Sequence, residues 1–163
     1  MSSHELDDEM QEMFEHEKKL NKVLSNETIR QPIRTLELGR AVVVESSANV
    51  GTTIELMQQK RIGCVLATRN GVLAGILTER DILMKLINQK IDYTKVVVSD
   101  VMTPSPEVLH LDDSIAYAMN KMSVGGYRHL PVVDERRKPL SILSVKDVVA
   151  YIVEHFPDEI LNL

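Results

Sequence analysis

The chain has 163 residues, 44% of them hydrophobic, and a net charge of −5. That length leaves room for one or two domains with a real core, and the acidic balance argues against a nucleic-acid surface, which needs cations to release counterions. A single cysteine, Cys64, excludes an internal disulfide and a cysteine-based zinc site within one chain. No stretch approaches about 18 consecutive apolar residues, so no membrane-spanning helix is expected. The acidic N-terminus lacks the basic region of a signal peptide, and a cytoplasmic protein is the default expectation.

Glu5, Asp7, Asp8, Glu9, Glu12, Glu15 and Glu17 crowd the first seventeen residues. Ser2 and Glu5 have capping-box spacing. Leu6, Met10, Met13, Leu20 and Leu24 then fall at heptad-like spacing, with Glu17 interrupting the stripe. The expectation is an N-terminal amphipathic helix docked on its own domain or on a dimer mate. His4, Asp7, Asp8 and His16 read as a solvated acidic face and not as a metal site. Ser25 to Pro32 reads as a linker, a polar cluster ended by proline, so residues 1–32 form an N-terminal segment.

From Val42 to Leu86 the pattern runs strand, helix, strand, turn, strand, helix, and Val108 to Ile152 repeats it at an offset of about 65 residues. Val50, Ile54 and Met57 match Ile115, Met119 and Met122, each set on one helical face. Val65-Leu66-Ala67 matches Leu130-Pro131-Val132. Cys64 opens that first apolar run and reads as a buried, inert thiol. Asn70-Gly71 signals a tight hairpin; its counterpart is the charged turn Asp134 to Pro139. Gly75-Ile76-Leu77-Thr78 matches Ser141-Ile142-Leu143-Ser144. One copy is small for an independent core, so the two sheets are expected to bury each other. The fold class is α/β (α+β): two βαββα repeats, residues 33–92 and 93–157, packed with pseudo-two-fold symmetry behind the N-terminal helix, with a tail at 158–163. A central cleft would be lined by the same positions twice.

One polar motif recurs at the same strand-to-helix junction: Thr78-Glu79-Arg80-Asp81 and Ser144-Val145-Lys146-Asp147. A helix N-terminus favours phosphate, Arg80 or Lys146 adds a full charge, and a carboxylate can accept from both hydroxyls of a ribose. Thr-x-x-Asp and Ser-x-x-Asp are equally candidate helix caps. The recurrence beside a cation favours a ligand role, and the hydroxyls can serve both purposes. A second signal is Tyr127-Arg128-His129-Leu130-Pro131, whose Arg128 and His129 precede a strand and suit phosphate; a solvated arginine and a satisfied histidine are the bland alternative. The first copy has Gly63 and Cys64 there, so the two pockets should differ.

The repeat resembles a tandem pair of CBS (cystathionine-β-synthase) domains, a Bateman module. The resemblance rests on Gly75 to Leu83, Asp100-Val101-Met102-Thr103-Pro104, His129 to Asp134 and Ser144 to Val148, and covers roughly Arg34 to Phe156. It implies head-to-head pairing of the domains and binding of AMP, ADP, ATP or S-adenosylmethionine. It also implies ribose at Asp81 and Asp147, Thr78 and Ser144 near ribose or phosphate, Arg128 and His129 on phosphate, and adenine between apolar strand residues. The ligand-binding set is Thr78, Arg80, Asp81, Thr103, Arg128, His129, Ser144, Lys146 and Asp147. Ser141 departs from the expected glycine, and Leu38-Gly39-Arg40 lacks the pattern of Val101 to Pro104. Because the second repeat supplies Val101–Pro104 and Arg128–His129, the pocket of Asp147 is expected to matter more, while Thr78, Arg80 and Asp81 remain well placed and head-to-head packing lets one pocket borrow groups from both copies.

No catalytic constellation is visible. There is no phosphate loop and no Gly-x-Gly-x-x-Gly. His110, His129 and His155 lack a recognisable Ser or Cys nucleophile, and Asp112-Asp113 reads as a helix start. The expectation is a non-enzymatic sensor without cofactor or metal, its adenine nucleotide a regulatory ligand. It would form a homodimer and act in trans on a protein effector, with no nucleic acid or membrane partner. A ligand-free structural dimerisation module is the alternative, and a nucleotide hydrolase a third.

Overall fold

The computed structural model describes residues 26–87 and 92–155. The expected helix with its Ser2–Glu5 cap, the His4/Asp7/Asp8/His16 cluster and the C-terminal tail lie outside the described residues. A short helix α1 (Asn26–Arg30) and a 3-10 turn (Ile33–Thr35) lead into β1 (Val43–Glu45), α2 (Val50–Lys60), β2 (Cys64–Arg69), β3 (Val72–Thr78) and α3 (Glu79–Lys85). Then follow α4 (Val98–Val101), β4 (Thr103–Pro104), α5 (Ile115–Gly125), β5 (His129–Val133), β6 (Pro139–Ser144) and α6 (Val145–His155).

Local chemistry sets the boundaries alike in both copies. Asn49 caps α2 by accepting from the Thr52 N–H at 3.1 Å, and Ser114 caps α5 through the Tyr117 N–H at 3.1 Å. Each helix ends in a left-handed residue, Arg61 (φ 52°) or Gly126 (φ 65°). Asn70 (φ 53°) and Gly71 (φ 75°) make the two-residue hairpin their types foretell. In the longer second turn, Asp134 Oδ1 accepts from the Arg136 and Lys138 amides, both at 2.8 Å.

The first sheet has the order β1-β2-β3-β4, with β1 parallel to β2 and the other pairs antiparallel. In the second, β5 and β6 pair antiparallel. Single bridges extend it at both edges, Leu109 to Val132 (parallel) and Arg40 to Ser141 (antiparallel). Both sheets thus have the same four positions, and one outer position of each is filled from across the sequence boundary. Thr103–Pro104, which precede the second repeat, complete the first sheet; Arg40, which precedes the first, completes the second.

Alternation on the strands distributes the core. Val65 and Ala67 of β2 face a cluster with Val50, Met57, Leu77 and Leu86, while Cys64 and Leu66 face Ile76 and Val133 across the join between the sheets. The second repeat buries Leu109, Ile115, Leu130, Val132, Leu143 and Tyr151 around Ile33.

That place for Ile33 goes with a correction to the linker before it. The Ser25–Pro32 stretch contains a helical turn, α1, whose Thr28 carbonyl accepts from the Tyr151 hydroxyl at 3.3 Å. The Ile33 amide donates to Asp113 at 2.8 Å as the Val98 amide donates to Ala48 at 2.9 Å, so the segment from Ile33 onward seats on the second repeat as Val98 seats on the first.

Candidate functional site

Both polar motifs sit where a strand turns into a helix, and both form capping boxes. The Asp81 amide donates to Thr78 Oγ1 at 3.1 Å, while the Thr78 amide and hydroxyl donate to Asp81 Oδ2 at 3.0 and 2.6 Å. At the second junction the Asp147 amide donates to Ser144 Oγ at 3.3 Å, and the Ser144 amide and hydroxyl donate to Asp147 Oδ2 at 2.7 and 2.6 Å. The cap is therefore present in both copies, and one oxygen of each carboxylate is committed to it.

The other oxygen distinguishes them. Asp81 Oδ1 accepts from Lys85 Nζ at 2.7 Å and from Thr103 Oγ1 at 3.0 Å. Lys85 Nζ also donates to the Val101 and Met102 carbonyls at 2.7 and 3.4 Å, tying α3 to the end of α4. Asp81 is only 9% exposed. Burial alone would raise its pKa, but the bonds from Lys85, Thr78 and Thr103 outweigh it and hold the carboxyl below its usual value. Asp147 Oδ1 has no hydrogen-bond donor among the described residues, and the position four residues on is Tyr151.

Eight of the nine expected site residues line one cleft of about 870 Å³: Thr78, Arg80, Asp81, Thr103, Arg128, His129, Ser144 and Lys146. Asp147 instead lines an adjoining cavity of about 720 Å³, walled by Thr35, Leu36, Leu38, Ala150 and Tyr151. This departs in part from the expected grouping, in which Thr103 and the Arg128–His129 pair complete the pocket of Asp147. Thr103 stands at the first repeat's junction, apart from Asp147, whereas Arg128 and His129 lie between the two junctions: the Val145 amide donates to the Arg128 carbonyl at 3.0 Å, and His129 pairs with Ser144. β4 pairs back onto β3, with Ile76 opposite Thr103, and head-to-head packing brings the start of β5 beside the start of α3. A Cβ added to Gly63 would lie 3.2 Å from Glu79 Oε2 and 3.5 Å from His129 Cε1.

His129 is half-buried. Burial and the neighbouring Arg128 charge lower its pKa, against opposing pulls from Glu79 and Asp147. Cys64 is buried, and burial with the Glu79 charge pushes its thiol up to about 12, which removes it as a nucleophile at neutral pH. Ser141 in the place of glycine has a physical reason. At Gly75 a Cβ would meet Met102 Sδ at 2.3 Å and the Thr103 carbonyl at 2.9 Å, because β4 lies directly on it. Ser141 faces the looser Gly39–Arg40 segment and donates its hydroxyl to the Gly39 carbonyl at 2.6 Å.

Sequence reasoning missed Lys85 and gave Tyr127 no role. Lys85 stands four residues after Asp81, a helical ion-pair spacing that was there to be read. Tyr127 lines the cleft with its ring packed over Gly125, where a Cβ would lie 2.1 Å from the ring. Among the described residues no group of three or more His, Cys, Asp or Glu could hold a metal, and no helix is long and apolar enough to cross a membrane.

Comparison with known proteins agrees with this architecture. The CBS domain family matches residues 25–88 and 98–154. The CBS domain-containing protein CBSCBSPB5 of Arabidopsis thaliana is 39% identical over 115 residues, 69% of this chain; the chain spans 21% of that relative's length. Among solved structures, CBSX2 in complex with AMP superposes with a TM-score of 0.64 at 27% identity, covering 76% of this chain and 96% of CBSX2. The CBS domain pair of protein MJ0100, in complex with 5-methylthioadenosine and S-adenosyl-L-methionine, shares the fold with a TM-score of 0.65 at 21% identity, covering 74% of this chain and 94% of its own. With the duplicated βαββα unit, the paired junctions and the family match in agreement, this chain belongs to the CBS-domain family and is a tandem CBS pair.

Proposed function

We propose that the chain is a regulatory module that binds an adenosyl ligand, AMP, ADP, ATP or S-adenosylmethionine, and acts in trans on a partner protein through a ligand-dependent change of shape or oligomeric state. One observation carries the reading: Arg80, Arg128, His129 and Lys146, drawn from both repeats, line a single cleft between two strand-to-helix junctions. Four such groups suit a phosphate chain, for which guanidinium forks and an ammonium give charge-assisted bonds. On the wall of the neighbouring cavity, Asp147 offers an oxygen with no donor among the described residues for ribose, and Leu36, Leu38 and Ala150 there supply apolar surface for a base. That CBSX2 was solved with AMP supports the same ligand class.

Homodimerisation belongs to this reading. Leu83 (59% exposed) and Met84 (69%) on α3, and Val124 (81%) on α5, leave apolar side chains in solvent that a second copy would cover. Light scattering at tens of micromolar that shows only the 18.4 kDa monomer would count against it. No catalysis is part of the proposal, since no nucleophile with a partnering base is assembled among the described residues.

A ligand-free dimerisation module is the second reading, favoured by the capping bonds that occupy one oxygen of each motif carboxylate. A thermal-shift panel of AMP, ADP, ATP and S-adenosylmethionine separates the two. A ligand at a hundred times its Kd adds about 2.7 kcal/mol of stability; a flat response to all four would leave the structural module.

A further inference from the structure

Asp81 and Asp147 hold equivalent positions at the head of equivalent helices, yet their carboxylates are not in equivalent states. A carboxylate offers about four lone-pair sites. Asp81 fills four: Oδ2 takes the Thr78 amide and hydroxyl, and Oδ1 takes Lys85 Nζ at 2.7 Å and Thr103 Oγ1 at 3.0 Å. A ribose 2′,3′-diol needs acceptor sites on such a group and finds none there. To make room, Lys85, whose side chain is 41% exposed, would have to leave a nearly buried carboxylate and the Val101 carbonyl it also serves, and stripping a buried carboxylate of its cation is unfavourable.

The second repeat lacks both donors. The counterpart of Lys85 is Tyr151, whose hydroxyl turns away to the Thr28 carbonyl at 3.3 Å. Arg40 pairs with Ser141 as Pro104 pairs with Gly75, which puts Gly39 in the place of Thr103, and glycine has no side-chain donor. Asp147 Oδ1 therefore stays open among the described residues while its Oδ2 caps α6.

We infer that Lys85 withdraws Asp81 from ribose recognition, so that a ribonucleotide diol is held at Asp147 alone and each chain takes one ribose. The inference rests on the adenosyl-binding reading above and deepens it. Lys85 touches no ligand; it is a positioning residue that sets how many sites a chain has and which carboxylate reads the sugar.

Calorimetric titration of nucleotide-free full-length protein with AMP and with 2′-deoxy-AMP tests it. The expected wild-type result is one AMP per chain, with the deoxy analogue bound roughly ten- to a hundredfold more weakly. Asp147→Asn, whose amide oxygen still caps the helix, should erase that discrimination, and Asp81→Asn should preserve it. Lys85→Met should add a second, diol-selective site, and Lys85→Arg should not. Should Lys85→Met fail to fold, the two asparagine variants decide the matter alone. Two equivalent AMP sites in wild type, or discrimination lost in Asp81→Asn and kept in Asp147→Asn, would overturn the inference while leaving nucleotide binding intact. No AMP binding by wild type or any variant would instead overturn the functional reading, and the inference with it.

Discussion

The two repeats share a backbone plan but solve the same contact in different ways. In the first, β4 lies so close to β3 that only glycine fits at Gly75, and Thr103 and Lys85 then close around Asp81. In the second, the equivalent segment makes a single bridge through Arg40, a serine is tolerated at Ser141, and one Asp147 oxygen has no donor among the described residues. The tight edge turns a motif carboxylate into a structural anchor, and the loose edge leaves its twin available. Duplication alone therefore does not make two equal sites; the strand borrowed across the sequence boundary decides which junction stays open.

The comparison breaks most readily at the borrowed segments. Ile33→Ala should cost about 2–5 kcal/mol in urea unfolding, as a fully buried isoleucine does. A loss under about 0.5 kcal/mol, typical of a surface linker position, would refute its place in the second core. Gly75→Ala should cost about 1–3 kcal/mol by forcing Met102 and β4 outward. Ser141→Ala, which removes one side-chain bond, should cost about 1 kcal/mol. Equal losses at Gly75 and Ser141 would erase the distinction between tight and loose edges.

Two pH experiments sharpen it further. Asp81 has a folded pKa below its ordinary value of 3.8. Its stabilisation is present above that value and is lost as pH falls through the lower folded pKa. Acid unfolding curves of wild type should therefore steepen below about pH 4, and Asp81→Asn should flatten that limb. His129, also depressed, favours its neutral form in the fold; that preference stabilises above 6.5 and fades as pH falls through the folded pKa. A phosphate in the cleft favours the charged ring, so nucleotide affinity should rise by a few-fold as pH drops below about 6.5, and His129→Gln should remove that part of the rise. An identical pH dependence in the variant would take His129 off the phosphate.

Much of this was open to a reader of the sequence. Periodicity and the offset of about 65 expose the duplicated unit, Asn70-Gly71 marks its hairpin, and the doubled hydroxyl-x-cation-carboxylate motif marks the junctions. What stayed hidden was sheet pairing across the boundary. Thr103 precedes the second repeat in sequence, so linear reading hands it to Asp147, whereas hydrogen bonding hands it to Asp81. Ile33 was concealed because it follows a polar, proline-ended stretch whose composition is that of a linker. Lys85 was visible as an i,i+4 pair, a spacing that exposed helix faces also use. Only the nearby Val101 and Met102 carbonyls, set by the tertiary fold, make it a clamp between α3 and α4.

The central claim is that the cleft shared by the two repeats receives the phosphates of an adenosyl ligand. Calorimetric titration of AMP into wild type and into Arg128→Ala tests it most directly. The account predicts saturable binding by wild type and a loss of roughly ten- to a hundredfold in the variant, with the melting temperature of the ligand-free protein little changed because Arg128 is exposed and makes no ion pair among the described residues. Equal affinity in the two proteins would contradict it.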